Sequence, residues 1–152
     1  MAFYKIPIEK SINMTIPFIT LTHAFGRIGC FCGGCCYGTP TTSIFGIKFP
    51  DGSPAVLKYG HDAYIHPVQL YESISLFLIT IIILRVKEEY RFALYAMFYG
   101  ILRFVIEYVR GDFRGQIFEI KIISPSQFLC ISIVLIGYLM LLHKLKKANN
   151  PI

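Results

Sequence analysis

Three stretches of this chain are apolar almost without interruption, and each is closed by a group of charges. Residues 68–85 follow His66 and Pro67 and lead into Arg85, Lys87, Glu88, Glu89 and Arg91. Residues 92–109 are apolar except for Arg103 and Glu107. Residues 124–143 open on Ser124, Pro125 and Gln127 and run into Lys144, Lys146 and Lys147. A helix needs about 20 apolar residues to cross a bilayer, so the pattern predicts three transmembrane helices. Proline suits a first helical turn, and a serine with glutamine three residues later makes a capping box. Ser124 and Gln127 fit that box, and Gln69 is expected to bond back to its own cap in the same way.

The flanking segments read differently. Residues 14–25 are apolar but only about a dozen residues long, too short to span, and Pro7 and Pro17 interrupt the helix before them. They predict a re-entrant or interfacial helix, or one packed under other segments, that leads into a glycine-rich bend. Residues 39–65 hold several prolines and glycines and form an extramembrane loop, with residues 44–49 as a short strand of a small β-hairpin ending at Pro50-Asp51-Gly52-Ser53-Pro54. The fold class is an all-α integral membrane protein, one membrane domain over residues 1–152.

Composition narrows the function. Hydrophobic residues make up 55% and charged residues 16%, against about 25% charged in soluble domains, and the mean hydropathy is +0.57. The formal net charge of +6 is gathered at the ends of apolar runs, which is the pattern of interfacial cations and argues against a nucleic-acid partner. The first apolar stretch lacks a small-residue cleavage pattern, so anchoring is expected from internal spans. If all three spans cross, Arg85, Lys87 and Arg91 share a side with Lys144, Lys146 and Lys147, and that side is cytoplasmic by the positive-inside rule. The glycine-cysteine stretch, His66 and residues 110–115 then face outward, with Arg110 and Arg114 as exceptions to the rule.

Candidate chemistry gathers on that outer side. Residues 26–38 hold five glycines and four cysteines behind Arg27 and near His23. An arginine pairs phosphate oxygens bidentately, and glycines let a main chain approach an anion. Arg103, Glu107 and Arg110 fall on one helical stripe, four and then three residues apart. Arg27, His66, Arg103, Glu107 and Arg110 are therefore expected to converge on a phospholipid headgroup. The arginines would stabilise charge on a departing phosphate, and a histidine or glutamate would accept a proton. A second reading stands for each part: Arg103 and Glu107 as a structural ion pair, His66 as a helix cap. Cys30, Cys32, Cys35 and Cys36 admit three readings, namely a soft-metal site, a disulfide within the bend, and small thiols packed beside glycines.

Four motifs resemble the prolipoprotein diacylglyceryl transferase family. Gly26-Arg27-Ile28-Gly29-Cys30-Phe31 through Gly38 keeps the frame of its Gly-Arg-x-Gly-Asn-Phe-x-Asn-x-Glu-x-x-Gly signature. His66-Pro67-Val68-Gln69-Leu70-Tyr71-Glu72, the run from Arg103-Phe104 through Glu107 to Arg110, and Ser124 with Gln127 are similar to its later motifs, in the same order. The resemblance implies a multi-pass enzyme of the bacterial inner membrane, with its site facing the outer leaflet. Such an enzyme transfers the diacylglyceryl group of phosphatidylglycerol to the lipobox cysteine of a prolipoprotein. It implies catalytic roles for Arg27, Arg103 and Glu107, and a substrate site lined by Gly26, Arg27, Gly29, Gly38, His66, Gln69, Tyr71 and Arg110. Neither a metal nor an organic cofactor is implied. Cys30, Gly33 and Cys35 stand where the signature has two asparagines and a glutamate. The family's further N-terminal spans, with their tyrosine and histidine motif, have no counterpart before residue 14, so the chain looks like the C-terminal half of the fold. A partner chain supplying those spans is one expectation. A non-catalytic subunit that binds phospholipid or a partner protein is the alternative to the enzyme.

Overall fold

In a computed structural model of the chain, residues 7–111 and 124–149 are described. Helix α1 (Ile8–Cys32) is followed by a loop carrying the short α2 (Pro54–Tyr59). Three long helices come next, α3 (Val68–Arg85), α4 (Arg91–Ile106) and α5 (Pro125–Asn149), with 3₁₀ turns at Glu88–Tyr90 and Glu107–Val109. The expected charged loop at residues 112–115, with Arg114, lies outside the described residues.

Three of these segments are long and apolar enough to cross a membrane: Val68–Arg85, Glu88–Val109 and Pro125–Asn149. The first has the expected bounds, the second begins four residues before the expected 92–109, and the third runs six residues past the expected 124–143. The Ser124 hydroxyl accepts from the Gln127 N–H at 3.1 Å, and Gln127 Oε1 accepts from the Ser124 N–H at 3.0 Å. Phe128, Leu129, Leu135, Ile136 and Leu139 stand exposed on α5, a band of large apolar side chains that suits lipid rather than water.

The first helix differs from the expectation. It runs 25 residues, about 37 Å at 1.5 Å per residue, where an element of a dozen residues followed by a glycine bend was read. Gly26 and Gly29 lie within it. Each costs a helix only about 1 kcal/mol, and Pro17 is carried as well. The real stop is a Schellman turn: Gly34 has φ +62°, its N–H donates to the Phe31 carbonyl at 3.0 Å, and the Cys35 N–H donates to the Cys30 carbonyl at 3.2 Å. At its other end, Glu9 pairs with Lys144 at 2.6 Å, and Asn13 Oδ1 accepts from the Phe92 N–H at 3.0 Å. Thus α1 reaches from the start of α4 and the end of α5 to the start of α3. Lys144 also donates to the Glu89 carbonyl, which brings the two basic groups at residues 85–91 and 144–147 to the same end, as their charge pattern predicts.

The expected β-hairpin is absent among the described residues, where pairing is limited to isolated bridges: Gly38 with Arg110, and Ile65 with Pro40 and Ile47. The turn at Pro50 forms, with the Ser53 N–H donating to the Pro50 carbonyl at 3.1 Å. Pro54 then opens α2, capped by the Ser53 hydroxyl. The loop has a small core of its own, Tyr37, Phe49, Ala55, Val56 and Ile65, against which Phe31 and Tyr59 pack.

Between α4 and α5 the helices approach closely at Gly100 and Gly137. A Cβ on Gly137 would stand 2.9 Å from the Ala93 carbonyl and 3.1 Å from the Ala96 Cβ. Close backbone approach of this kind is how helices associate in lipid, where no hydrophobic drive separates them from acyl chains. Gly137→Val should destabilise the pair by about 1–3 kcal/mol, read as a lower melting temperature in detergent. An unchanged melting temperature would mean α5 does not dock here.

Candidate functional site

The outer-side motifs are stitched together by backbone. The Gly38 N–H donates to the His66 carbonyl at 3.0 Å, and the His66 N–H to Thr39 at 3.1 Å. The Thr39 N–H donates to Val109 at 2.9 Å, and the Gly111 N–H to Tyr37 at 3.0 Å. Residues 37–39 are thus held between the entry to α3 and the exit from α4. This brings Arg27, His66 and Arg110 to one end of the helices, and the Ser124–Glu107 contact adds the start of α5 to it.

At the centre, Arg27 Nη2 lies 3.0 Å from Glu72 Oε1. The same oxygen accepts from the Tyr99 hydroxyl at 3.4 Å and lies 3.9 Å from His23 Nε2. The Glu72 side chain is 1% exposed and that of Arg27 15%, so the pair is largely withdrawn from water while the guanidinium keeps an open edge. Arg27 Nε has no hydrogen-bond partner among the described residues. Such a buried, unused donor is uncommon in folded proteins and leaves capacity for an anion. Cβ atoms on Gly26 and Gly29, both exposed, would meet nothing within 4 Å.

A second pair lies at the α4–α5 junction. Arg103 Nη1 is 3.0 Å from Glu107 Oε2, and Glu107 Oε1 accepts from the Ser124 hydroxyl at 3.0 Å. The charges attract across Nη1 and Oε2, yet the alignment falls short of a hydrogen bond there, and Arg103 Nη2 is likewise unused among the described residues. The helical stripe predicted for Arg103, Glu107 and Arg110 holds for the first two and ends there. Arg110 is extended, with φ −76° and ψ 140°, so its side chain leaves the helical register and meets the Cys36 thiol.

His66 and Gln69 have other partners than a cap. His66 Nδ1 lies 3.1 Å from the Tyr71 hydroxyl. Gln69 does not bond back to its helix start: its Nε2 donates to the Cys35 carbonyl at 2.7 Å, pinning the Schellman turn onto α3. Gly38 is tightly enclosed between His66 and Val109.

All five cysteines are free thiols. Burial raises the Cys36 thiol, but its hydrogen bond to Arg110 and the positive charges of Arg110 and Arg27 prevail, and its pKa ends below the usual thiol value. Cys35 is pushed up to about 11 by burial and by neighbouring Cys30 and Cys36.

Sequence reading named Glu72 only as the end of the His66 motif, with no role of its own, and passed over Tyr99. A signal for Glu72 exists, since a carboxylate inside an otherwise apolar span is costly unless it is paired or functional. Its partner lies on α1, far away in the sequence.

Comparison with known proteins agrees with the motifs. Residues 1–143 match the family model described as prolipoprotein diacylglyceryl transferase. Among similar curated proteins, a phosphatidylglycerol–prolipoprotein diacylglyceryl transferase of Clostridium tetani is 38% identical over 133 residues, which is 84% of this chain and 51% of that protein. A second, from Clostridium perfringens, is 36% identical over 140 residues, 88% of this chain and 52% of its own length. A third, from Chlorobaculum tepidum, is 33% identical over 153 residues, 97% of this chain and 50% of its own. The chain thus spans about half the length of these relatives. With the family model covering most of its residues and the four motifs gathered at one end of its helices, the chain belongs to the prolipoprotein diacylglyceryl transferase family.

Proposed function

We propose that this chain carries the phosphatidylglycerol site of a diacylglyceryl transferase in the bacterial inner membrane, with the site at the outer leaflet. The observation that carries the reading is Arg27, a largely buried guanidinium held by Glu72, with an unused Nε–H among the described residues. In the reaction, the sulfur of a lipobox cysteine forms a bond to the glyceryl carbon that carries the phosphate. The carbon–oxygen bond breaks, glycerol phosphate leaves with the electron pair, and the thiol proton passes to a base. Arg27 binds the headgroup phosphate, and Arg103 with its unspent donors meets charge developing on the leaving group. Glu107, already within reach of Arg103 and Ser124, is the proton acceptor. Gly26, Gly29, Gly38, His66, Gln69, Tyr71 and Arg110 line the substrate site. The basic groups at the opposite end support the orientation.

A second reading has its own observation. Cys30, Gly33 and Cys35 replace the polar side chains of the family signature. On this reading the chain is a non-catalytic membrane subunit that keeps the headgroup pocket and binds phospholipid or a partner without turnover. The deciding experiment incubates the purified chain with phosphatidylglycerol and a lipobox peptide and follows the peptide by mass spectrometry. A diacylglyceryl adduct is expected. Bound lipid without adduct selects the subunit, and absence of lipid binding removes both readings. Arg103→Ala should lower transfer about 10²–10³-fold, the usual loss for one donor to developing charge, at unchanged abundance. A loss of abundance alone would make Arg103–Glu107 a purely structural pair.

A further inference from the structure

The turn that ends α1 does more than stop a helix. Its Schellman bonds fold Cys35 back over the last helical turn, and the Cys35 thiol contacts the Cys30 carbonyl at 3.6 Å. The next residue, Cys36, is the one non-glycine residue with positive φ among those described, at +57°. Side chains rarely accept that conformation, and here it coincides with a thiol turned toward two others. The sulfurs of Cys30, Cys35 and Cys36 all lie within 4.8 Å of one another, and all three residues are partly buried. Cys32, between them in sequence, is exposed and outside the group.

We infer that Cys30, Cys35 and Cys36 form a three-sulfur site for a thiophilic d¹⁰ cation, Zn(II) or Cu(I), that nothing in the family resemblance implies. The spacing suits the ion. Zinc binds thiolate sulfur at about 2.3 Å, which sets tetrahedral sulfurs about 3.8 Å apart, so sulfurs within 4.8 Å of one another need to close by no more than about 1 Å. Soft thiolate ligands select such ions, and three protein ligands leave zinc one open position. The surroundings favour thiolates as well. Arg110 and Arg27 are both in electrostatic reach of Cys36, and Arg27 of Cys30 as well. Without a cation, three thiols this close cannot all ionise. Binding therefore expels thiol protons to solvent, and affinity rises with pH. A disulfide would close only one pair to about 2.05 Å and strand the third sulfur.

The full chain, purified in detergent under reducing and anaerobic conditions and stripped by chelator, is titrated with Zn(II) against a chromophoric competitor. One equivalent is expected to bind, weakening as pH falls. Cys30→Ser, Cys35→Ser and Cys36→Ser should each weaken it at least about 100-fold, while Cys32→Ser and Cys130→Ser leave it unchanged. Cd(II) added to the unsubstituted chain should give a sulfur-to-metal absorption band of three-thiolate intensity, a readout that survives even if a serine variant fails to fold. Binding that depends equally on Cys32, a Cd(II) band of fewer than three thiolates, no stoichiometric binding, or a disulfide within the trio in the reduced preparation would each overturn the site.

Discussion

Arg27→Ala should abolish the diacylglyceryl adduct, a loss of at least about 10³-fold given what a phosphate-facing arginine supplies to a departing phosphoryl oxygen. Glu72→Ala should come close to it by another route. Its carboxylate is 1% exposed and holds Arg27 at 3.0 Å, so truncation leaves an uncompensated buried guanidinium, at a cost of about 3–5 kcal/mol. Glu72→Gln keeps an acceptor for Arg27 and Tyr99 but loses the charge, and should fall between the two. The discriminating variant is the double substitution Arg27→Met with Glu72→Leu. Replacing both members of a buried pair with apolar groups is often neutral for stability, so the melting temperature should recover while the adduct does not. Recovery of the adduct as well would show that the pair only holds α1 to α3.

The contrast between those two residues shows what the sequence makes legible. Arg103 and Glu107 could be paired from spacing alone, because four residues make about one helical turn, and they meet at 3.0 Å. The capping box at Ser124 and Gln127 was legible for the same local reason. The partner of Arg27 was not: Glu72 belongs to another helix, and only tertiary packing brings them together. The glycines misled for a related reason. Gly26, Gly29, Gly33 and Gly34 read alike in sequence, yet the first two are helical and open-sided, and only Gly34 takes the left-handed conformation that turns the chain. A helix anchored at its far end to Lys144 and Phe92 and near its top to Ser73, whose hydroxyl donates to the Ala24 carbonyl at 2.9 Å, absorbs two glycines that local propensity reads as a break. Gln69 carries the same lesson, since its bond to the Cys35 carbonyl outcompetes a local cap.

Gly38 is where that distinction becomes measurable. In the family signature it reads as a residue that lets the main chain approach the substrate. Its surroundings add a packing reason: a Cβ there would stand 2.6 Å from the His66 carbonyl oxygen, 2.7 Å from the His66 Cβ and 2.8 Å from the Val109 carbonyl oxygen. Two of those three neighbours are backbone, which cannot rotate away as a side chain would. Gly38→Ala should therefore open the junction of residues 37–39 with both flanking segments, at a cost of about 3 kcal/mol or more, the upper end of overpacking. The expected result is a lower melting temperature and faster proteolysis within residues 39–65, with the three apolar helices intact. Gly26→Ala is the matched control, because its Cβ meets nothing and alanine favours the helix, so stability should hold or rise slightly. If Gly38→Ala folds like the unsubstituted chain and loses only lipid binding, the glycine serves substrate approach and not the junction.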